Sequence, residues 1–348
     1  MLAMTAVAAA EETKPNTTKC MALAMSGGGT LGAYEAGALW GMYYGLADKK
    51  EMEYDVVTGV SAGSINLGLV SVYPKGQEEA MVNDLSHRWE SLKQDDLYVD
   101  WTLGKVRGVT DKSGLVNTQP LTDYLDKFFA EHNNTFHRKF VVAAVDVNTG
   151  SYMTFDETEK NPAKAITSSA SIPFIFPSQK WDHGVAMDGG TVWNLNLISA
   201  IDRCKEIVDD ESEITIDIVV CHEGEKINTW SDGGSTMNNW LRYDQIRSAK
   251  ASNQDIYDVM HAFPKINYRY YVAPTGPLAS GLDIIKVDNA TVTGPAQDLG
   301  RKDGANVVKS GAGKLFQDFK DNFKSKYDAK MPKQGAKEGT VDLEFLQN

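Results

Sequence analysis

The chain alternates between short apolar runs that end in glycine and stretches where apolar residues recur every third or fourth position, the pattern of buried strands feeding helices. Residues 19–26, KCMALAMS, form the first run. It ends at Gly27-Gly28-Gly29-Thr30-Leu31-Gly32, and Tyr34, Ala38, Met42 and Leu46 then predict a helix over 31–46. The second run, 54–60, ends in Gly59-Val60-Ser61-Ala62-Gly63, and 62–73 is apolar nearly all round, as in a helix buried in the middle of a domain. Met81, Leu85, Trp89 and Leu92 predict an amphipathic surface helix over 78–92. Residues 93–118 are mixed and turn-rich, a surface excursion placed to wall a site.

Farther along, Thr118 is expected to cap a helix with Pro120 in its first turn and Leu121, Tyr124, Leu125 and Phe128 on one face. Residues 139–147 read as a buried strand, 151–155 as its short partner and 162–170 as a short helix of small residues. In SIPFIFPSQKW, 171–181, two prolines are expected to forbid regular structure. Its Phe174, Ile175 and Phe176 make either a membrane-touching or acyl-lining loop or a plug under the sheet. A brief strand at 185–188 stops at Asp188-Gly189-Gly190, and a helix at 195–207, a strand at 213–221, a turn at 232–236, a helix at 238–261 and an edge-like strand at 267–273 follow. Residues 274–300 carry no clear pattern, whereas Val308, Ala312, Leu315, Phe319, Phe323 and Tyr327 predict one C-terminal helix over 308–327.

Strands separated by helices imply an α/β fold with a mainly parallel sheet, helices on both faces and ligands at the carboxyl ends of the strands. The glycine loop, Ser61 and Asp188 each follow a predicted strand, so all three can share one rim. With 348 residues, 42% of them apolar, the chain can bury a large core. The expected organisation is a leader over 1–19, a single domain over 20–330 and a mobile tail over 331–348. No apolar run is long enough to cross a bilayer.

The net charge of −12 is spread along the chain and opposes a nucleic-acid partner or capture by strongly anionic lipid; a neutral or zwitterionic substrate fits better. Residues 1–10 resemble the tail of a secretory signal but lack its basic start, so a cytoplasmic or peripheral location is favoured and secretion is the alternative. Acceptor sequons at Asn16, Asn133 and Asn289 occur at the frequency chance gives. Cys20, Cys204 and Cys221 are odd in number, with no metal-like spacing, and are not expected to form a disulfide framework.

GxSxG between a strand and a helix reads as a nucleophile elbow, a strained turn that lifts the Ser61 hydroxyl out of the sheet, with Gly59 and Gly63 small enough to permit it. The three successive glycines can converge their amides on an oxyanion or a phosphate. Acyl transfer also needs a base. Asp188 is one candidate; His183 and His222 are others, and His87, His132, His137 and His261 sit in polar or helical settings. An α/β-hydrolase would place about four strands before its elbow, and only one precedes residue 54 here.

Four segments, SGGGTLGAYEAGAL at 26–39, GVSAGS at 59–64, GLVNTQPL at 114–121 and ITSSASIPFIFP with MDGG at 166–190, together resemble the patatin-like phospholipases. The resemblance covers roughly residues 19–201. It implies a three-layer α/β/α sandwich with Ser61 as nucleophile, Asp188 as general base, and an oxyanion hole from the amides of Gly28, Gly29 and Thr30. Gly27, Gly32, Gly59, Gly63, Gly189 and Gly190 complete the motifs. It further implies a phospholipid or other acyl-ester lipid as partner, met transiently at a membrane or micelle surface; the sequence offers no metal cluster of the needed spacing and no calcium loop, so no cofactor and no metal are expected. An acyltransferase and a catalytically silent lipid-binding or storage protein are the alternatives. The family often has an acid before the triple glycine and a base after it; this chain has Ser26 and Leu31 there.

Overall fold

The computed structural model describes residues 19–102, 104, 112–222 and 235–330. The expected leader, apart from its last residue, and the expected tail lie outside these residues, as do most of the predicted turn at 232–236 and part of the excursion before residue 114.

Eight strands form one sheet: β1 (Cys20–Met25), β2 (Val56–Val60), β3 (Lys139–Asp146), β4 (Tyr152–Asp156), β5 (Gln179–Trp181), β6 (Gly184–Asp188), β7 (Ile214–Val219) and β8 (Asn267–Val272). From β3 through β2, β1 and β7 to β8 every pairing is parallel, while β4, β5 and β6 are antiparallel additions. Turns join β3 to β4 and β5 to β6, and the other connections carry helices: α1 (Gly32–Gly45), α2 (Ala62–Ser71), α3 (Glu78–Ser91), α4 (Gln94–Leu97), α5 (Gln119–Glu131), α6 (Pro162–Ser169), α7 (Leu197–Lys205) and α8 (Thr236–Ala262), followed by α9 (Gly294–Ser310) and α10 (Lys314–Lys330). Alternate strand residues feed two cores. Leu23, Met25 and Val57 pack with α1, α2 and α3 on one face, and Ala22, Ala24, Val56 and Ile216 pack with α7 and α10 on the other. This is the expected three-layer α/β arrangement. Among the described residues no helix is long and apolar enough to cross a membrane.

The C-terminal segment is built into the first face. A Cβ at Gly37 or Gly41 of α1 would come within 2.1 Å of a carbonyl oxygen of α9, and one at Gly300 or Gly304 of α9 within 2.1 Å of a carbonyl of α1. The two helices therefore touch backbone to backbone, a distance only glycine permits.

Several expectations are corrected. Residues 308–327 are not one helix, because Gly311 and Gly313, at φ 94° and 76°, break the stripe into α9 and α10. Residues 179–181 do form a strand, since both prolines lie before it and it pairs only with β6. Thr118 makes no capping hydrogen bond; Asn117 Oδ1 accepts the Gln119 amide at 3.1 Å instead. The motif strand β6 runs antiparallel to β3, contrary to a simple β/α alternation.

Two of the three cysteines pair, which falls short of a disulfide framework. Cys20, at the start of β1, is bonded to Cys204 in the last turn of α7, and Cys221 is free and buried. The partners are 184 residues apart and meet only because α7 packs on that strand, so their spacing carried no signal. A cross-link closing so long a loop stabilises chiefly by restricting the unfolded chain. Cys204→Ser, or reduction of the wild type, should lower the unfolding free energy by about 2–4 kcal/mol in urea titrations. An unchanged midpoint under both treatments would contradict the pairing.

Candidate active site

The elbow grows out of β2, whose five residues are all buried. Ser61 follows at φ 51°, ψ −118°, a positive φ that costs a non-glycine residue about 1–3 kcal/mol and persists only where its surroundings hold it. They do so from three sides. The Ser61 amide donates to Ser169 Oγ at 2.9 Å, the Ser169 hydroxyl donates to the Ala143 carbonyl of β3 at 2.6 Å, and Ser64 Oγ donates to the Ser61 carbonyl at 2.6 Å. Sterically, a Cβ at Gly59 would lie 2.3 Å from the Gly63 carbonyl oxygen, and one at Gly63 would lie 2.5 Å from that of Met25.

The position of Asp188 follows from pairing along β3. Residues 141–143 of β3 pair with both β2 and β4, which therefore occupy opposite edges. Residues 144 and 145 pair with both β4 and β6, so β6 lies on the edge that β2 occupies. β2 stops where Val60 meets Ala143, and β6, running the other way, stops where Asp188 meets Ala144. The two strands thus end tip to tip, and a Cβ at Gly189 would touch both the Ala143 carbonyl, at 2.4 Å, and Val60, at 3.0 Å. This register, rather than parallel strand order, brings Asp188 to the rim.

Both side chains are buried. Asp188 Oδ1 accepts the Gly190 amide at 2.8 Å, and that amide and the Ser61 side chain beside it both favour the charged form of the carboxyl. Desolvation outweighs them and raises the carboxyl to about 7, with the Asp244 charge adding to the rise. A carboxylate at its reference value near 4 is a poor base for an alcohol; burial moves this one into the range of an effective base at neutral pH.

The glycine loop is clamped to the same point. The Ser26 carbonyl accepts the Gly63 amide at 3.1 Å, and Asn194 holds Gly27 twice, accepting its N–H at its own carbonyl and donating Nδ2 to the Gly27 carbonyl, each at 3.1 Å. A Cβ at Gly27 would lie 2.9 Å from Ser61 Cβ, so the loop passes directly over the Ser61 side chain. Thr30 Oγ1 donates to the Ile284 carbonyl at 3.0 Å, fixing the far end of the loop to the C-terminal segment.

A cavity of about 540 Å³ opens above these groups and is lined by Gly27, Gly28, Gly29, Ser61, Asp188 and Gly190. Its remaining walls are largely apolar, with Ile172 and Phe174 from one side, Trp240 and Leu241 of α8 from another, and Leu278 and Ile284 closing it. Thr30 borders a smaller recess beside Ser61, whereas Gly32, Gly59, Gly63 and Gly189 lie behind the cavity as framework.

Of the two histidine candidates, His183 is exposed against Trp181 and outside the cavity. His222 lines it, with both ring nitrogens buried and unpartnered among the described residues; burial lowers its pKa to about 4 and keeps the ring neutral. Neither is hydrogen-bonded to Ser61 or Asp188 among the described residues. Also among the described residues, no group of three or more His, Cys, Asp and Glu is arranged to hold a metal ion.

Sequence reasoning missed Ser169, Asn194 and the wall contributed by α8, where Arg247 Nη1 donates to the Thr191 carbonyl at 3.3 Å beside the Asp188 turn. Ser169 and Asn194 act on backbone groups brought together by the fold, and nothing in their local pattern marks them.

Comparison with known proteins matches the patatin-like phospholipase family model to residues 23–201, just over half of the chain. No curated protein matches. Among solved structures, the crystal structure of VipD from Legionella pneumophila aligns with a TM-score of 0.40 at 12% identity, covering 85% of this chain and 68% of that one. With the glycine loop, the elbow and the Asp-Gly-Gly turn all inside the matched span, the chain belongs to the patatin-like phospholipase family.

Proposed function

We propose that the protein is a lipid acyl hydrolase that works through Ser61 and Asp188. The observation that carries this reading is a buried carboxyl, raised to about 7, at the tip of a strand that ends against the strand leading into Ser61, itself held at positive φ. The Ser61 oxygen attacks the ester carbonyl as its proton passes to Asp188, and the amides of Gly28, Gly29 and Thr30 take the negative charge on the carbonyl oxygen. Collapse of the tetrahedral intermediate sends the proton from Asp188 to the departing alcohol and leaves an acyl group on Ser61. Water, deprotonated by Asp188, then releases the fatty acid and restores the serine. Aligning the alcohol against a base in a dry cavity supplies much of the rate.

The apolar walls suit an acyl chain, and the charge balance suits a zwitterionic or neutral lipid. Phe174 supports contact with a lipid surface. It lines the cavity, is 64% exposed and sits at φ 69°, packed edge-on against Trp240 at 4.8 Å. A strained, exposed aromatic at the entrance suits a group that meets apolar substrate.

A fluorophosphonate should label the wild type and not Ser61→Ala, and hydrolysis of a short-chain nitrophenyl ester should fall on the order of 10³-fold or more in both Ser61→Ala and Asp188→Asn. Full activity in Asp188→Asn, with loss in His222→Ala, would transfer the base to the histidine. Because Asp188 acts as its carboxylate, kcat/KM should rise about tenfold per pH unit up to a break near 7; a break near 4 would contradict the assignment. The same shift costs stability. A carboxyl that holds its proton to about 7 when folded, against 3.8 unfolded, disfavours folding progressively as pH rises between those values. Asp188→Asn should therefore melt at or above the wild-type temperature at pH 8. Turnover should persist in chelator, and an absolute calcium requirement would count against the mechanism.

A further inference from the structure

Beneath the glycine loop lies a buried polar cluster that the proposed mechanism does not use. Glu35, in the first turn of α1, has no exposed surface. Its Oε2 accepts from Asn66 Nδ2 at 2.8 Å. Asn66 is itself fixed, donating to the Gly32 carbonyl at 2.9 Å and accepting at Oδ1 from Trp89 Nε1 at 2.7 Å. Its Oε1 is buried with no hydrogen-bond partner among the described residues, and the Cys221 side chain and the Ser26 backbone are the next groups that act on the carboxyl. Cys221 in turn donates its amide to Ser26 Oγ at 2.9 Å and its thiol to the Leu31 carbonyl at 3.3 Å. Gly28 lies against this thiol, since a Cβ there would sit 2.4 Å from Cys221 Cβ. Its hydrogen-bond partner Asn66 and the nearby Cys221 both hold residues 26–32 in place.

We propose that Glu35 is a positioning residue for the glycine loop and that it sets the loop with its proton on. The proposal rests on the reading that the loop amides bind the oxyanion. A protonated carboxyl can donate toward the Cys221 sulfur, which leaves the thiol hydrogen for the Leu31 carbonyl. Without its proton the carboxylate offers only acceptors and draws that thiol hydrogen to itself. The Leu31 carbonyl then loses its donor, and a negative charge is buried directly behind amides aimed at an oxyanion.

The groups facing Glu35 are Asn66 from α2, with Trp89 of α3 behind it, Cys221 beyond β7 and Ser26 beyond β1. None is a cation. Cys221 stays a thiol, its pKa pushed well up by burial and then by Glu35. Desolvation is likewise the largest cause raising Glu35, to about 8, so proton loss falls just above neutral pH.

The test is kcat/KM for a soluble nitrophenyl ester between pH 6 and 10 in the wild type and Glu35→Gln, with thermal melts at each pH to separate inactivation from unfolding. The wild type should lose about tenfold by pH 9, one unit above the transition, while Glu35→Gln keeps its pH 7.5 activity within about twofold through pH 9. An identical alkaline limb in both proteins overturns the proposal. Should Glu35→Gln fail to fold, infrared spectroscopy of Asp188→Asn supplies the answer. One buried carboxylic-acid band should persist at pH 7 and vanish with a midpoint near 8, and its absence at pH 7 overturns the proposal. Activity retained in Ser61→Ala would instead remove the proposed mechanism and leave this titration standing.

Discussion

The whole site depends on one edge of one strand. β3 offers a single run of backbone pairing groups, and β2 and β6 divide it end to end, meeting between Ala143 and Ala144. Each strand carries one residue of the proposed dyad to its tip. Because strand pairing fixes position to a fraction of a residue, Ser61 and Asp188 are brought together by the most rigid part of the molecule rather than by loops. Ser169 reinforces the junction by linking the Ser61 amide to the carbonyl of Ala143, the residue where β2 ends. The glycine loop arrives from the neighbouring strand β1 and is tied to the elbow through the Ser26 carbonyl.

The arrangement is expensive to fold. A serine at positive φ, an aspartate held above its ordinary range and a second carboxyl, Glu35, buried with no cation beside it among the described residues all sit in space beside the glycine loop or the elbow. None improves stability, and the two carboxyls weaken it over the pH range where unfolded carboxylates are charged. What offsets them is the close packing around the site, including the backbone contact of α1 with α9 and the Cys20–Cys204 cross-link on the opposite face. Strain concentrated at one point and supported from both faces is the usual form of a reactive site.

Most of the strand and helix order was legible because buried strands and amphipathic helices leave periodic marks, and the glycine motifs announce their own steric need. The strand, turn and helix around Ser61 could be placed for that reason. What escaped was information carried by tertiary register. The direction of β6 has no local signature, since an antiparallel and a parallel five-residue strand look alike in sequence. The partnership of Cys20 with Cys204 and the split at Gly311 depended on packing across the sheet and on two backbone dihedrals. Ser169 and Asn194 touch only main-chain atoms near the site, and no residue pattern predicts such contacts. Likewise the raised pKa of Asp188 comes from burial, a property of the fold rather than of the aspartate.

The most direct measurement is a crystal structure of the protein inactivated by an alkyl phosphonate, a mimic of the tetrahedral intermediate. The phosphorus should be bonded to Ser61 Oγ, with one phosphonyl oxygen within hydrogen-bond distance of the Gly28, Gly29 and Thr30 amides, Asp188 facing the leaving-group side, and the alkyl chain in the cavity beneath α8. An adduct on another residue, or a phosphonyl oxygen turned away from the glycine loop, would contradict the account.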